Sequence, residues 1–194
     1  MMIDCLYNCF KDWSVGSGVY IISDTHFGDK DCKDIDESWI TPEEHINIIN
    51  KSVGKSDTLI CLGDCGDLSY FKDIKADYKV LIKGNHDDGK KSRYYEIFDE
   101  VYDGPLFITP KLVLSHEPLP AMPYYLNIHG HDHSGGSHSP YHINLAANIV
   151  NYQVFNLGKE IKKGILSPII NIHRYTIDNA IKNKEKKHED FYNS

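Results

Sequence analysis

Short apolar runs that close on polar clusters set the pattern of this chain. Val19-Tyr20-Ile21-Ile22 is rich in β-formers and runs into Ser23-Asp24-Thr25-His26, which predicts a strand carrying Asp24 and His26 at its C-terminal end. Thr58-Leu59-Ile60-Cys61-Leu62 predicts a second strand that delivers Gly63-Asp64. Lys79-Val80-Leu81-Ile82 predicts a third, leading into Gly84-Asn85-His86-Asp87. The intervals are helical in character. Thr41-Pro42-Glu43-Glu44 reads as a helix start, with Thr at the N-cap, Pro in the first turn and Glu placed to close a capping box. Ile46, Ile49 and Val53 follow at helical spacing, and Gly54 stands where a C-terminal cap is expected. Leu68, Phe71 and Ile74 suggest a short helix, and Tyr94, Ile97, Phe98 and Val101 fit one face of another.

The pattern then changes. Leu106-Phe107-Ile108, Leu112-Val113-Leu114 and Leu126-Asn127-Ile128 are short strands separated by Pro and Gly, with little room for helices. A βαβαβ half followed by a mostly β half predicts an α/β layered sandwich with mixed sheets, its strand-end loops converging on one site. Residues 19–172 form the expected domain. Residues 1–18 read as an N-terminal extension, and 173–194 as a surface helix that starts amphipathic and frays into a mobile charged tail.

Composition narrows the function classes. With 194 residues, 41% hydrophobic and 25% charged, the chain is globular rather than disordered or fibrous. A net charge of −7 argues against a membrane surface or an extended nucleic-acid footprint as partner, since both need a basic face. A small phosphorylated substrate stays open, because bound divalent cations reverse the local field. The five cysteines are odd in number and lack a CxxC pair; with no apolar leader and no transmembrane-length run, a soluble, cytoplasmic protein with reduced thiols is expected.

The polar clusters carry the chemistry. Carboxylate, imidazole and amide oxygen together suit divalent Mn, Fe or Zn. Asp24 and His26 can reach one ion from a strand end. Asp64 can bridge two ions, Asn85 offers a neutral oxygen, and His116, His131 and His133 offer imidazoles. Two ions roughly 3.5–4 Å apart can activate a hydroxide and clamp phosphoryl oxygens during hydrolysis. His86, beside Asn85 but not needed as a ligand, is the candidate catalytic acid, with Asp67 as the carboxylate that orients it.

Taken in order, Asp24-x-His26, Gly63-Asp64-x-x-Asp67, Gly84-Asn85-His86-Asp87, His116 and Gly130-His131-x-His133 resemble the calcineurin-like metallophosphoesterase family, across about 110 residues. Any one block is weak; the ordered set is specific. The resemblance implies a four-layer α/β/β/α sandwich with two metals at the strand ends. It implies that Asp24, His26 and His133 hold one ion, that Asn85, His116 and His131 hold the other, and that Asp64 bridges them. His86 would be the acid and Asp67 its partner. Residues 21–28 and 144–160 look like a small bacterial and phage-type branch of predicted phosphoesterases. Ser115 stands before His116 where the family more often has Gly, a departure at a ligand's neighbour.

These features imply a phosphomonoester or phosphodiester hydrolase, with manganese the expected metal and iron, nickel or zinc its alternatives. A nuclease or cyclic-nucleotide phosphodiesterase is a second reading. A non-catalytic scaffold on the same fold, like the retromer subunit that resembles these enzymes, is a third, which the retained His86 disfavours. The run His129 to His133 lacks the spacing of a metallo-β-lactamase motif. His129 reads as a strand-end residue, His138 and His142 as loop residues or substrate contacts, and His45, His173 and His188 as surface or interface residues. Cys65 reads as space-filling. Among the basic residues Lys83, Lys90, Lys91 and Arg93, only Arg93 is a candidate phosphate contact. Specificity is expected from loops 29–38, 68–77, 118–124 and 133–141, with the Gly- and Ser-rich stretch 134–140 a mobile lid edge.

Overall fold

The computed structural model of the protein describes residues 18–192, with side chains through residue 185. The expected extension and the last tail residues therefore lie outside the described part. β1 (Val19–Ile22), β2 (Thr58–Cys61) and β3 (Tyr78–Ile82) pair in parallel, with Ile22 opposite Cys61 and Cys61 opposite Leu81. Parallel pairing in this register brings all three C-terminal ends to one edge, so Asp24, Asp64 and Asn85 emerge side by side. β4 (Glu100–Tyr102) adds in parallel to β3, and the two-residue β9 (Phe155–Asn156) adds antiparallel to β1, giving the order β4-β3-β2-β1-β9.

A second sheet has the order β5-β6-β7-β8, built from Leu106–Thr109, Leu112–Leu114, Leu126–His129 and His142–Asn144. β6, β7 and β8 run parallel, so the ends of β6 and β7 carry His116 and His131 to the rim. A bridge between Ser23 and Ala146 joins the rims of the two sheets beside Asp24.

The strands read as continuous apolar runs because both faces of the first sheet are buried. Ile21, Ile60, Val80 and Ile82 meet Leu112, Leu114, Leu126 and Ile128 between the sheets, and Leu157 of α4 (Leu157–Lys163) joins that core. The alternate residues Ile22, Leu59, Cys61 and Leu81 face a helical layer: Ile46 and Ile49 of α2 (Pro42–Ser52), Phe71 of a 3-10 turn (Leu68–Asp73), and Tyr94 of α3 (Lys91–Tyr94). The four-residue α1 (Cys32–Ile35) lies in the loop after β1. This is the α/β sandwich that the resemblance implies. Loop 117–125 is pinned to β7 and β8, where Leu119 N donates to Asn127 Oδ1 at 2.8 Å and His142 Nε2 donates to Leu119 O at 2.6 Å.

Helix α2 starts as the sequence predicts. Thr41 Oγ1 accepts from Glu44 N at 3.3 Å, and Glu44 Oε2 accepts from Thr41 N at 2.9 Å. It does not end as predicted: Val53 is the C-cap in extended conformation, and Gly54 instead donates its N–H to Asp57 Oδ2 at 2.7 Å. The helix expected through Val101 stops at Tyr94, because Val101 pairs with Leu81 in β4. His45 is a further correction: it is buried, edge-on to the rings of Phe27 and Tyr152. At the C-terminus, α5 (Ile172–Tyr192) leaves Ile172, Tyr175 and Ile181 exposed.

Candidate metal centre

The loops at the converging strand ends are folded sharply. Asp24, His26, Asp64 and His131 all have positive φ, at 53°, 40°, 52° and 68°, and they are four of the six such non-glycine residues among those described. That region costs an L-residue about 1–2 kcal/mol and persists where surroundings hold it, often at functional sites. Gly63 at φ 99° lets two of these loops touch: a Cβ there would lie 2.4 Å from Gly84 N.

Two groups of side chains result, each able to hold a metal ion: Asp24 with His26 and His133, and Asp64 with His116 and His131. Asp64 lies between them, its Oδ2 3.7 Å from His26 Nε2 and 3.3 Å from His116 Nε2. Asn85 completes the second group, its Oδ1 2.8 Å from His116 Nε2 and 3.0 Å from His131 Nδ1. The main-chain N–H of His131 donates to both oxygens of Asp24 at 3.0 Å, tying one group to the other. All seven residues expected as ligands are thus brought together.

The donor chemistry fits divalent cations. His116 Nδ1–H donates to Leu62 O at 2.8 Å, and His133 Nδ1–H donates to Asn148 Oδ1 at 3.0 Å. In the neutral imidazoles each Nε2 is then a bare lone pair, aimed at Asp64 in one case and at Asp24 Oδ1, 3.7 Å away, in the other. His26 Nε2 is buried with no hydrogen-bond partner. Acceptors facing acceptors in a buried site call for a positive charge between them.

The protonation equilibria follow the same layout. Burial pulls the His26 imidazole below its ordinary value, against the raising charges of Asp64 and Asp24, which favours the neutral ligand form. For His116, burial again lowers, but the Asp64 hydrogen bond and the charges of Asp24 and Asp64 outweigh it and hold the imidazole above its ordinary value. Burial pushes the Asp64 carboxyl up, yet His116 overrides that and leaves it below the usual range. A third cluster, His26, Asp29 and Cys32, has ligand spacing too. There burial, then the charges of Asp29 and Asp31, push the Cys32 thiol up to about 12, so no thiolate forms near neutrality.

The remaining candidates divide. His86 is exposed, its ring 5.5 Å from that of His26, and its main-chain N–H donates to Asp64 Oδ1 at 3.0 Å. Asp67 makes no ion pair with His86. Its carboxylate caps the 3-10 turn by accepting from Ser69 N at 2.9 Å, and that bond, helped by the charge of Arg93, holds it below the usual carboxylate range. Arg93 is exposed on α3. His129 ends β7, fully buried, and Asp132 turns outward to Ser134 and His138. Cys65 is buried, its sulfur 3.7 Å from that of Cys61. Ser115 takes the place of Gly without strain: it lacks positive φ, and its hydroxyl donates to Glu117 O at 2.6 Å and accepts from Asn127 Nδ2 at 2.8 Å. Stretch 134–140, expected as a lid edge, is tied to β8, where Asn144 Nδ2 donates to Gly135 O at 2.7 Å.

Two residues were missed from sequence. Asp87 is buried and accepts from Asp64 N at 2.8 Å, Gly84 N at 2.9 Å and Cys65 N at 3.2 Å, which locks the two central loops together. Asn148 fixes the His133 ring through Nδ1 and returns an amide N–H to His133 O at 2.9 Å. Asp87 could have been found as the fourth residue of its cluster; Asn148 carried no local signal.

A solved structure shares this fold. Protein AQ665 from Aquifex aeolicus, of unknown function, is 26% identical, with a TM-score of 0.63 over 76% of this chain and 98% of that one. Nuclease MPE from Pseudomonas putida is 25% identical, with a TM-score of 0.41 over 58% of this chain and 59% of its own. No curated protein matches. No helix among the described residues is long and apolar enough to cross a membrane. Residues 18–173 match the family described as calcineurin-like phosphoesterase, and the chain belongs to that family.

Proposed function

We propose that the protein is a two-metal phosphoesterase that hydrolyses a small phosphomonoester or phosphodiester in the cytoplasm. One observation carries this reading: two ligand groups meet at Asp64, with the unpartnered Nε2 of His26 aimed at its carboxylate. Asp24, His26 and His133 would hold one divalent ion and Asn85, His116 and His131 the second, with Asp64 reaching both. Bound there, the ions would supply an activated water nucleophile and neutralise the phosphoryl oxygens. Manganese suits the mixed O and N set, with iron, nickel or zinc as alternatives.

His86 would give its proton to the leaving oxygen. Its exposure lets substrate reach the ring, and the bond from its main-chain N–H to Asp64 fixes the loop that carries it. Asp67, engaged at the turn, would act only through its charge, and Arg93 would meet a phosphate oxygen at the margin. The free thiols of Cys32, Cys61 and Cys65 support a reducing compartment. The test is turnover of p-nitrophenyl phosphate and bis-p-nitrophenyl phosphate by the full chain, stripped and then reloaded with Mn²⁺. Metal-dependent release supports the reading, and the mono-to-diester ratio assigns the class. Metal binding with no turnover of either ester would contradict it.

A further inference from the structure

We propose that a cavity beside His26 receives the leaving-alcohol part of the substrate, and that this alcohol carries an apolar, aromatic ring. The inference rests on the phosphoesterase reading above. The cavity measures about 310 Å³ and lies between the loop after β1 and the start of α2. That is the lower end of small-molecule sites, roughly 300–1,000 Å³, and suits one ring system rather than a polymer.

Phe27, Trp39, Ile40, Pro42 and His45 line it, and His26 is the wall it shares with the metal centre. The polar groups around it are already engaged. Thr25 Oγ1 donates to Cys65 O at 2.9 Å, Cys32 Sγ points to His26 O at 3.9 Å, and Thr41 Oγ1 is held at the helix cap. Burial lowers the His45 imidazole to about 4, so this wall is uncharged near neutrality. A sugar or other polyol placed here would give up bonds to water and find few in return. A planar ring would find aromatic and aliphatic walls.

The orientation follows from His86. Its ring stands edge-on to the same His26 imidazole that closes the cavity. His86 does not itself line the cavity, so an alcohol whose oxygen it protonates would reach the cavity past His26. Lys30 and Lys33 at the exposed end make no ion pair among the described residues, but Asp29 beside them offsets part of their charge. Shape rather than charge carries the selection.

The test uses the full chain with Trp13→Phe, so that intrinsic fluorescence reports Trp39. Binding of 1-naphthylmethanol to metal-free protein is followed by quenching, and 1-naphthylmethylphosphonate is compared with methylphosphonate on the Mn²⁺-loaded protein. The expected results are saturable quenching and at least about tenfold tighter binding of the aryl phosphonate. Both should be lost in Ile40→Phe, which narrows the cavity without adding a tryptophan and binds Mn²⁺ as the parent does. Equal affinities, or a preference that survives Ile40→Phe, would overturn the proposal. The naphthylmethanol arm needs neither metal nor turnover, so failure of the phosphoesterase reading leaves it interpretable.

Discussion

The main-chain N–H of Asp64 donates to the carboxylate of Asp87 at 2.8 Å, so the residue between the two ligand groups is held through its main chain by a buried acid that belongs to neither group. Asp87→Ala strands that N–H and those of Gly84 and Cys65. Leaving such groups unsatisfied should cost about 2–5 kcal/mol, a fall of roughly 5–15 °C in Tm. Thermal unfolding of the two chains checks it. An unchanged Tm would mean that water replaces the carboxylate without loss.

Gly130 should tolerate no side chain. A Cβ would lie 1.9 Å from Ser23 Oγ and 2.1 Å from Asp24 Oδ2, so Gly130→Ala must displace Asp24. Mn²⁺ affinity should fall at least about tenfold, since an ion site fails once a ligand is misplaced. Isothermal titration with Mn²⁺ provides the readout.

Asn148 should matter to metal affinity without contacting an ion. It fixes the His133 tautomer through Nδ1, and removing such a partner typically costs 10–100-fold in affinity. Asn148→Ala should show that loss in a Mn²⁺ titration, with a smaller loss in Asn148→Gln.

His45 should make stability depend on pH. Burial lowers its folded-state pKa from 6.5 to about 4, so the unfolded chain binds the extra proton between those values. Stability is fully present above pH 6.5 and is lost as pH falls toward 4, by about 3 kcal/mol from this residue at most. His45→Phe should flatten the decline of Tm between pH 7 and pH 5. An equally steep decline in the variant would assign the acid sensitivity elsewhere.

Much of this was legible in the sequence because it is local. The Thr41–Glu44 capping box depends on four adjacent residues and formed as read. The strand ends bearing Asp24, Asp64 and Asn85 were marked by apolar runs buried on both faces. What failed depends on distant contacts. Val101 has helical spacing from Tyr94, but pairing with Leu81 draws it into β4. His45 resembles a surface residue on a polar helix start until Phe27 and Tyr152 pack against it. β8 and β9 are too short and polar to announce themselves. Asp67 is a local case instead: its carboxylate accepts from Ser69 N, two residues on, and caps the turn.

The most direct test is the number of ions bound per chain, measured by elemental analysis after Mn²⁺ reloading and dialysis, for the parent and Asp64→Asn together with their turnover of bis-p-nitrophenyl phosphate. Two ions and metal-dependent turnover are expected for the parent, with weakened binding and turnover down at least about a hundredfold in Asp64→Asn. A parent that binds no ion, or an Asp64→Asn chain as active as the parent, would contradict a two-metal centre built on Asp64.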